Sequence, residues 1–224
     1  MSWQVVFAWS RQSMVKCAMR IFFRDLRGGL AIVSLLALTP LKGLADSDPV
    51  HQQVSSEAPQ PWPGGVIPYD ISKLSPAQRT NALKGMQRWM DTGANIRFIP
   101  RTDEAEYVHF TGATNAGNNT SCVGFKKGVR TDINITAFWW RQQEWMPTHE
   151  LGHALGFFHE HQRWDRDQFV TIHYENIKSG RADDYDWIAK ANWLVNSLPY
   201  DFKSIMHYRI CWASRCRVLS LSGW

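Results

Sequence analysis

The chain has no apolar run long enough to cross a bilayer. The run of note, residues 30–38 (Leu-Ala-Ile-Val-Ser-Leu-Leu-Ala-Leu), falls well short of the ~20 residues a spanning helix needs. No stable membrane insertion is therefore expected. Cysteine is scarce, with four in the whole chain. Cys17 lies near the start, and Cys122, Cys211 and Cys216 form an odd set that allows one disulfide and leaves one thiol, the pairing open. A closed structural site built on cysteine thiolates is disfavoured for the same reason. No internal repeat or coiled-coil heptad is present. Excess charge is also missing from most of the chain. Of the net +5, all is accounted for by Arg11, Lys16, Arg20, Arg24, Arg27 and Lys42 against Asp25, and the chain from Asp46 onward is close to neutral. A nucleic-acid partner is not expected.

The cationic start reads as a secretory signal over residues 1–45 with an extended basic region. Arg20, Arg24 and Arg27 precede the apolar stretch, and Gly43 and Ala45 place small residues for cleavage after Ala45. Met14 or Met19 would serve as alternative starts, and an uncleaved anchor is the competing reading. Export to the periplasm or the extracellular space follows. Residues 46–61, with Pro49, Pro59 and Pro61, read as a linker or short pro-segment.

A folded region is expected over residues 62–208. Residues 66–71 suit a first strand. Ser75 followed by Pro76 is a helix start, Leu83, Met86 and Met90 recur at helical spacing as core, and Gly93 ends the helix. Short strands are expected at 96–99, 107–110 and 133–135. Asn118, Asn119 and Asn134 stand in N-x-S/T sequons that matter only in a glycosylating host. Strand, helix, strands and a second helix predict an α+β domain with a twisted mixed sheet.

Residues 149–160 read His-Glu-Leu-Gly-His-Ala-Leu-Gly-Phe-Phe-His-Glu. On a helix, His149 and His153 project from one face one turn apart and can occupy adjacent corners of a tetrahedral Zn2+ ion. Pro147 suits the first turn. Glu150 is offset around the helix and can reach a water without ligating the metal. A catalytic zinc needs a third protein ligand and an open position. His159 is available, but a continuing helix would point it away. Gly156 is placed to break the helix in a left-handed conformation and return His159 to the metal. Three neutral imidazoles leave the ion its full charge, which lowers the pKa of a bound water toward about 7. Glu150 is then the expected general base, passing the proton to the leaving amine.

This motif resembles the metzincin zinc proteases, and Glu160 after the third histidine is similar to the astacin choice, where matrix metalloproteases usually carry Ser and adamalysins Asp. The stretch 159–167 (His-Glu-His-Gln-Arg-Trp-Asp-Arg-Asp), Val170-Thr171-Ile172 with Asn176-Ile177, the turn Ser204-Ile205-Met206-His207-Tyr208, and Trp62-Pro63-Gly64-Gly65-Val66-Ile67-Pro68-Tyr69 all resemble astacins. The resemblance runs from about Trp62 to Tyr208 and implies a metzincin-type domain with two long helices in its N-terminal subdomain. It implies Met206 as an apolar floor beneath the metal. It implies Tyr208 as a displaceable ligand that then hydrogen-bonds the oxyanion, and Glu160 as an anchor for the mature N-terminus. His207 reads as structural, and no metal role is expected for His51, His109, His161 or His173.

The implied activity is zinc-dependent endopeptidase hydrolysis of a protein or peptide substrate, laid by strand addition along an edge strand at 107–110. Residues 209–224 do not resemble the astacin continuation and read as a truncated or frameshifted tail. Apolar surface under the methionine turn would then stay exposed. No Phe-x-Gly-Asp pro-segment is found. The competing reading is a non-catalytic fragment that at most binds zinc or peptide. The natural substrate and the oligomeric state are not encoded in any motif found.

Overall fold

A computed structural model describes residues 58–114, 121–142, 144–194, 197–209 and 218–222. The expected signal segment, most of the linker, Asn118, Asn119, His51, Cys211 and Cys216 lie outside the described residues.

Strand β1 (Val66–Asp70) is followed by helix α1 (Pro76–Met90), then β2 (Arg97–Pro100), β3 (Val108–Thr114), β4 (Thr131–Thr136) and helix α2 (Trp145–Leu155). Helix α1 starts at Ser75 with a reciprocal cap. The Ser75 hydroxyl accepts from the Gln78 N–H, and the Gln78 side chain accepts from the Ser75 N–H, satisfying two donors that a helix start leaves free. The helix ends at Met90, with Gly93 at φ 79° in the turn that follows. Met86 is buried as expected, but Leu83 is 44% exposed. The face of α1 that meets α2 is set instead by Ala82, Gly85 and Met86. A β-carbon on Gly85 would come within 3.0 Å of the Thr148 nitrogen, so the helices meet where a side chain is missing.

The four strands form one sheet in the order β2-β1-β3-β4, each pairing parallel. Ile67, Val108, Phe110, Ile133 and Ile135 fill its core with Met86, Leu151 and Ala154 from the helices. Antiparallel pairing occurs at the Gln60–Phe125 bridge and between β5 (Val170–Ile172) and β6 (Leu219–Leu221). The expected edge position of segment 107–110 is overturned, because β3 lies between β1 and β4. Its apolar residues mark it as interior, and a strand flanked by others has no free backbone row to offer a substrate.

After α2 the chain is mostly short 3-10 turns. Part of the segment read as an atypical tail contributes a strand here. Leu219 pairs with Ile172 and Leu221 with Val170, and Leu219 is buried with Val170 and Tyr200. The exposure expected under the methionine turn is thus not found at Met206, which is 3% exposed, although Leu198 and Phe202 remain open.

Candidate metal centre

Helix α2 is buried along most of its length, from Pro147 to Ala154 apart from His149, so its imidazoles are held by packing on two sides. It stops at Gly156, which adopts φ 108°, a left-handed conformation that a Cβ disfavours. The Phe157 N–H then returns to the Gly152 carbonyl at 3.0 Å, closing the helix end. The chain runs on in extended form to His159, whose ring comes back over the helix. Trp62, far away in sequence, donates its indole N–H to the Ala154 carbonyl at 2.8 Å and pins the same helix end.

The ligand-capable nitrogens of His149, His153 and His159 all lie within 4.8 Å of one another. The Nε2 atoms of His149 and His159 are 3.1 Å apart. A tetrahedral zinc with Zn–N near 2.0–2.1 Å requires about 3.3 Å between ligand nitrogens, so the spacing fits. The opposite nitrogen of each ring is tied down. His149 Nδ1–H donates to the Ile205 carbonyl at 2.8 Å and His153 Nδ1–H to the Phe157 carbonyl at 2.8 Å. His159 Nδ1–H donates to Gln162 Oε1 at 3.2 Å, while the amide of Gln162 donates to the Asp186 carbonyl. These acceptors select one tautomer in every ring and leave each Nε2 as a lone pair. Lone pairs of His149 and His159 facing each other at 3.1 Å repel unless a cation stands between them. Burial depresses all three imidazoles, His153 to about 3, so they stay neutral and able to ligate.

Glu150 is buried, and its Oε2 has no hydrogen-bond partner. Burial without a counter-charge pushes its carboxyl up to about 8. A buried carboxylate oxygen without a partner one residue from His149 fits a site completed by a metal and a water.

Met206 lies against the helix, and its sulfur would be 2.4 Å from a β-carbon on Gly152. The carbonyls of Ile205 and Met206 accept from His149 and from the Glu160 N–H. The methionine turn therefore fixes the His149 ring through its backbone. The Tyr208 ring stands 4.6 Å from that of His159, centre to centre, and burial pushes its phenol well above the usual range. Glu160 accepts from Arg163 and from the Asp201 N–H, each at 3.0 Å. The N-terminal partner expected for it lies outside the described residues.

Gln162 and the carbonyls of Ile205 and Phe157 escaped the sequence reading, and His161 was considered there only as a metal ligand and set aside. Gln162 stood three residues from His159 in plain view. The carbonyls carry no sequence signal, because any residue supplies one.

Imidazoles converging from a helix and from a glycine-bent return, above a methionine turn, place the chain among zinc metallopeptidases of the metzincin type. Comparison with known proteins narrows the class. The profile of the Astacin peptidase family matches residues 54–219, well over half of the chain, and the chain belongs to that family. Human Tolloid-like protein 2 is 39% identical over 162 residues, 71% of this chain and 15% of that protein. Zinc metalloproteinase nas-7 of Caenorhabditis elegans is 33% identical over 156 residues, 68% of this chain and 39% of that protein. High choriolytic enzyme 1, a hatching enzyme zinc-protease of the medaka Oryzias latipes, shares the fold with a TM-score of 0.60 at 29% identity. That match covers 77% of this chain and 84% of the medaka chain. The chain spans only about 15% of the length of the tolloid-like relatives. Among the described residues no helix is long and apolar enough to cross a membrane.

Proposed function

We propose that the chain is an exported zinc endopeptidase that hydrolyses internal peptide bonds of protein substrates. In this reading the Nε2 atoms of His149, His153 and His159 hold the ion, and Glu150 is the general base. The observation that carries it is the pairing of convergent imidazole lone pairs with a buried carboxylate oxygen that has no partner.

Bound zinc supplies a Lewis acid and lowers the pKa of water toward about 7. The side chains do the rest. Glu150 takes a proton from the attacking water as its carboxylate, the form that a neighbouring cation favours, and delivers it to the leaving amide nitrogen. Tyr208 keeps its proton, because burial disfavours the phenolate, and its hydroxyl donates to the oxyanion of the tetrahedral intermediate. Glu160 braces the approach to the methionine turn through the Asp201 N–H. Export is supported by the cationic and apolar leader and by Cys122, which is disulfide-bonded, a state that persists in oxidising compartments.

The test uses purified protein and denatured casein. Cleavage should cease with a zinc chelator and return with zinc. Glu150→Gln should keep stoichiometric metal and lose turnover by about 10²–10⁴-fold. Parental cleavage by that variant would refute the base, and cleavage that is indifferent to chelation would refute the metal.

A further inference from the structure

We propose that His161, which stands outside the ligand set, is a positioning residue that holds Tyr208 in the orientation the reaction uses. The inference rests on the role of Tyr208 given above.

His161 is fully buried. Its Nε2–H donates to the Asp184 carbonyl at 3.1 Å. A carbonyl can only accept, so this contact leaves Nδ1 as an acceptor, and Nδ1 takes the backbone N–H of Tyr208 at 3.4 Å. One ring thus joins the turn Ala182–Tyr185 to the end of the methionine turn. The same ring stacks on the Tyr208 phenol, centres 4.2 Å apart and planes at 30°. Tyr185 closes the tyrosine from another side at 5.6 Å and 80°, and His159 lies beyond at 4.6 Å. Tyr208 is therefore held by its backbone and by its ring through one histidine.

The bracket is itself anchored. The Asp184 carboxylate pairs with the Arg181 guanidinium at 2.6 Å. Arg166, buried, donates to the carbonyls of His161 and Tyr185. A histidine that only filled volume would need none of this. An apolar ring of similar size would fill the space but leave the Tyr208 N–H and the Asp184 carbonyl without these partners, a loss that buried groups do not tolerate well. The arrangement instead couples the segment from His159 to His161 to the hydroxyl proposed to meet the oxyanion.

Three replacements separate the contacts. His161→Asn keeps an acceptor near the Nδ1 position, His161→Gln keeps a donor near Nε2, and His161→Phe keeps the stack alone. Each is measured for kcat, KM and bound zinc, in the parent and in a Tyr208→Phe background. We expect full zinc occupancy and KM within about twofold, with kcat down about tenfold or more for Gln and Phe and less for Asn, since oxyanion donors act in the transition state. In the Tyr208→Phe background the same replacements should change kcat by less than about twofold, because the group they position is already gone. An equal fold-loss in both backgrounds, or unchanged kcat for Gln and Phe, overturns the proposal. Parental kcat for Tyr208→Phe alone would instead refute the tyrosine's role, and the positioning claim with it. Should the Phe variant not fold, Asn and Gln carry the test with two inhibitors. A phosphinic peptide, tetrahedral at phosphorus, should weaken about tenfold on Gln while a peptide hydroxamate does not; equal weakening of both overturns the proposal.

Discussion

The sulfur of Met206 occupies the space that a side chain on Gly152 would fill. A β-carbon at Gly152 would stand 2.4 Å from it and 3.0 Å from the Trp89 ring. The methionine turn and helix α2 are thus interlocked through a missing methyl group. Gly152→Ala should destabilise the protein. The helix gains about 1 kcal/mol in propensity, but overpacking costs about 1–3 kcal/mol, and the rigid indole prevents full relaxation. Urea unfolding of the metal-free protein reads the net loss, and a more stable variant would show that the turn yields freely.

Gln162 holds His159 in the tautomer with a free Nε2 lone pair while its amide is fixed by Asp186. Removing such a partner typically costs about 10–100-fold in metal affinity. Gln162→Ala should therefore weaken zinc binding within that range, read by competition with a chelator of known affinity, and should also destabilise the metal-free protein by about 1–3 kcal/mol, since the buried His159 Nδ1–H and the Asp186 carbonyl lose their partner. Affinity equal to the parent's would mean that packing alone orients the ring.

Arg163 is buried and pairs with Glu160 at 3.0 Å and with Asp165 at 2.8 Å. It also donates to the carbonyls of Leu198 and Pro199, tying the segment that follows His159 to the one before the methionine turn. Arg163→Met should cost about 3 kcal/mol or more, because Glu160 is left charged in a poorly solvated position. Adding Glu160→Leu should recover part of that loss. A double variant no better than the single one would place the effect in the carbonyl contacts instead.

The metal-free protein should be most stable near pH 6.5, the ordinary histidine pKa. Burial holds the pKa of His153 at about 3 in the fold, against 6.5 when unfolded, and depresses His149, His159 and His161 as well. A group with a lowered folded pKa gives stability that is full above its unfolded pKa and is lost as pH falls, here from about 6.5 toward about 3. His153 alone accounts for about 1 kcal/mol per pH unit in that window. Glu150 has the opposite sign. Its folded pKa of about 8 lies above 4.5, so stability falls as pH rises from about 4.5 to about 8. Below the ordinary histidine pKa several histidines outweigh one carboxyl, and above it the carboxyl acts alone. Urea midpoints in excess chelator at about pH 5, 6.5 and 8 check this, and a monotonic rise across that series would contradict it.

Much of the site was legible because local chemistry imposes it. Ser75 with Gln78 can only start a helix well, and Gly156 turns left-handed because it has no Cβ to forbid it. His149 and His153 share a face because the helical period puts them there. Leu83 misled because spacing shows that residues share a stripe, not which stripe meets a neighbour. The segment 107–110 misled for a related reason. Its apolar character was read correctly as a strand, but the position of a strand in a sheet depends on partners that arrive later in the chain.

What sequence alone determined is the set of groups able to bind a metal and the bend that gathers them. These follow from backbone geometry over a dozen residues, where the peptide unit allows few choices. Tertiary structure decided everything that depends on distant segments meeting. It brought the Ile205 carbonyl to His149, Met206 into the gap at Gly152, and His161 between Asp184 and Tyr208. It also returned Leu219 to the strand at Val170. Such contacts form wherever burial is greatest and polar groups find partners, and that balance is settled by the whole fold at once.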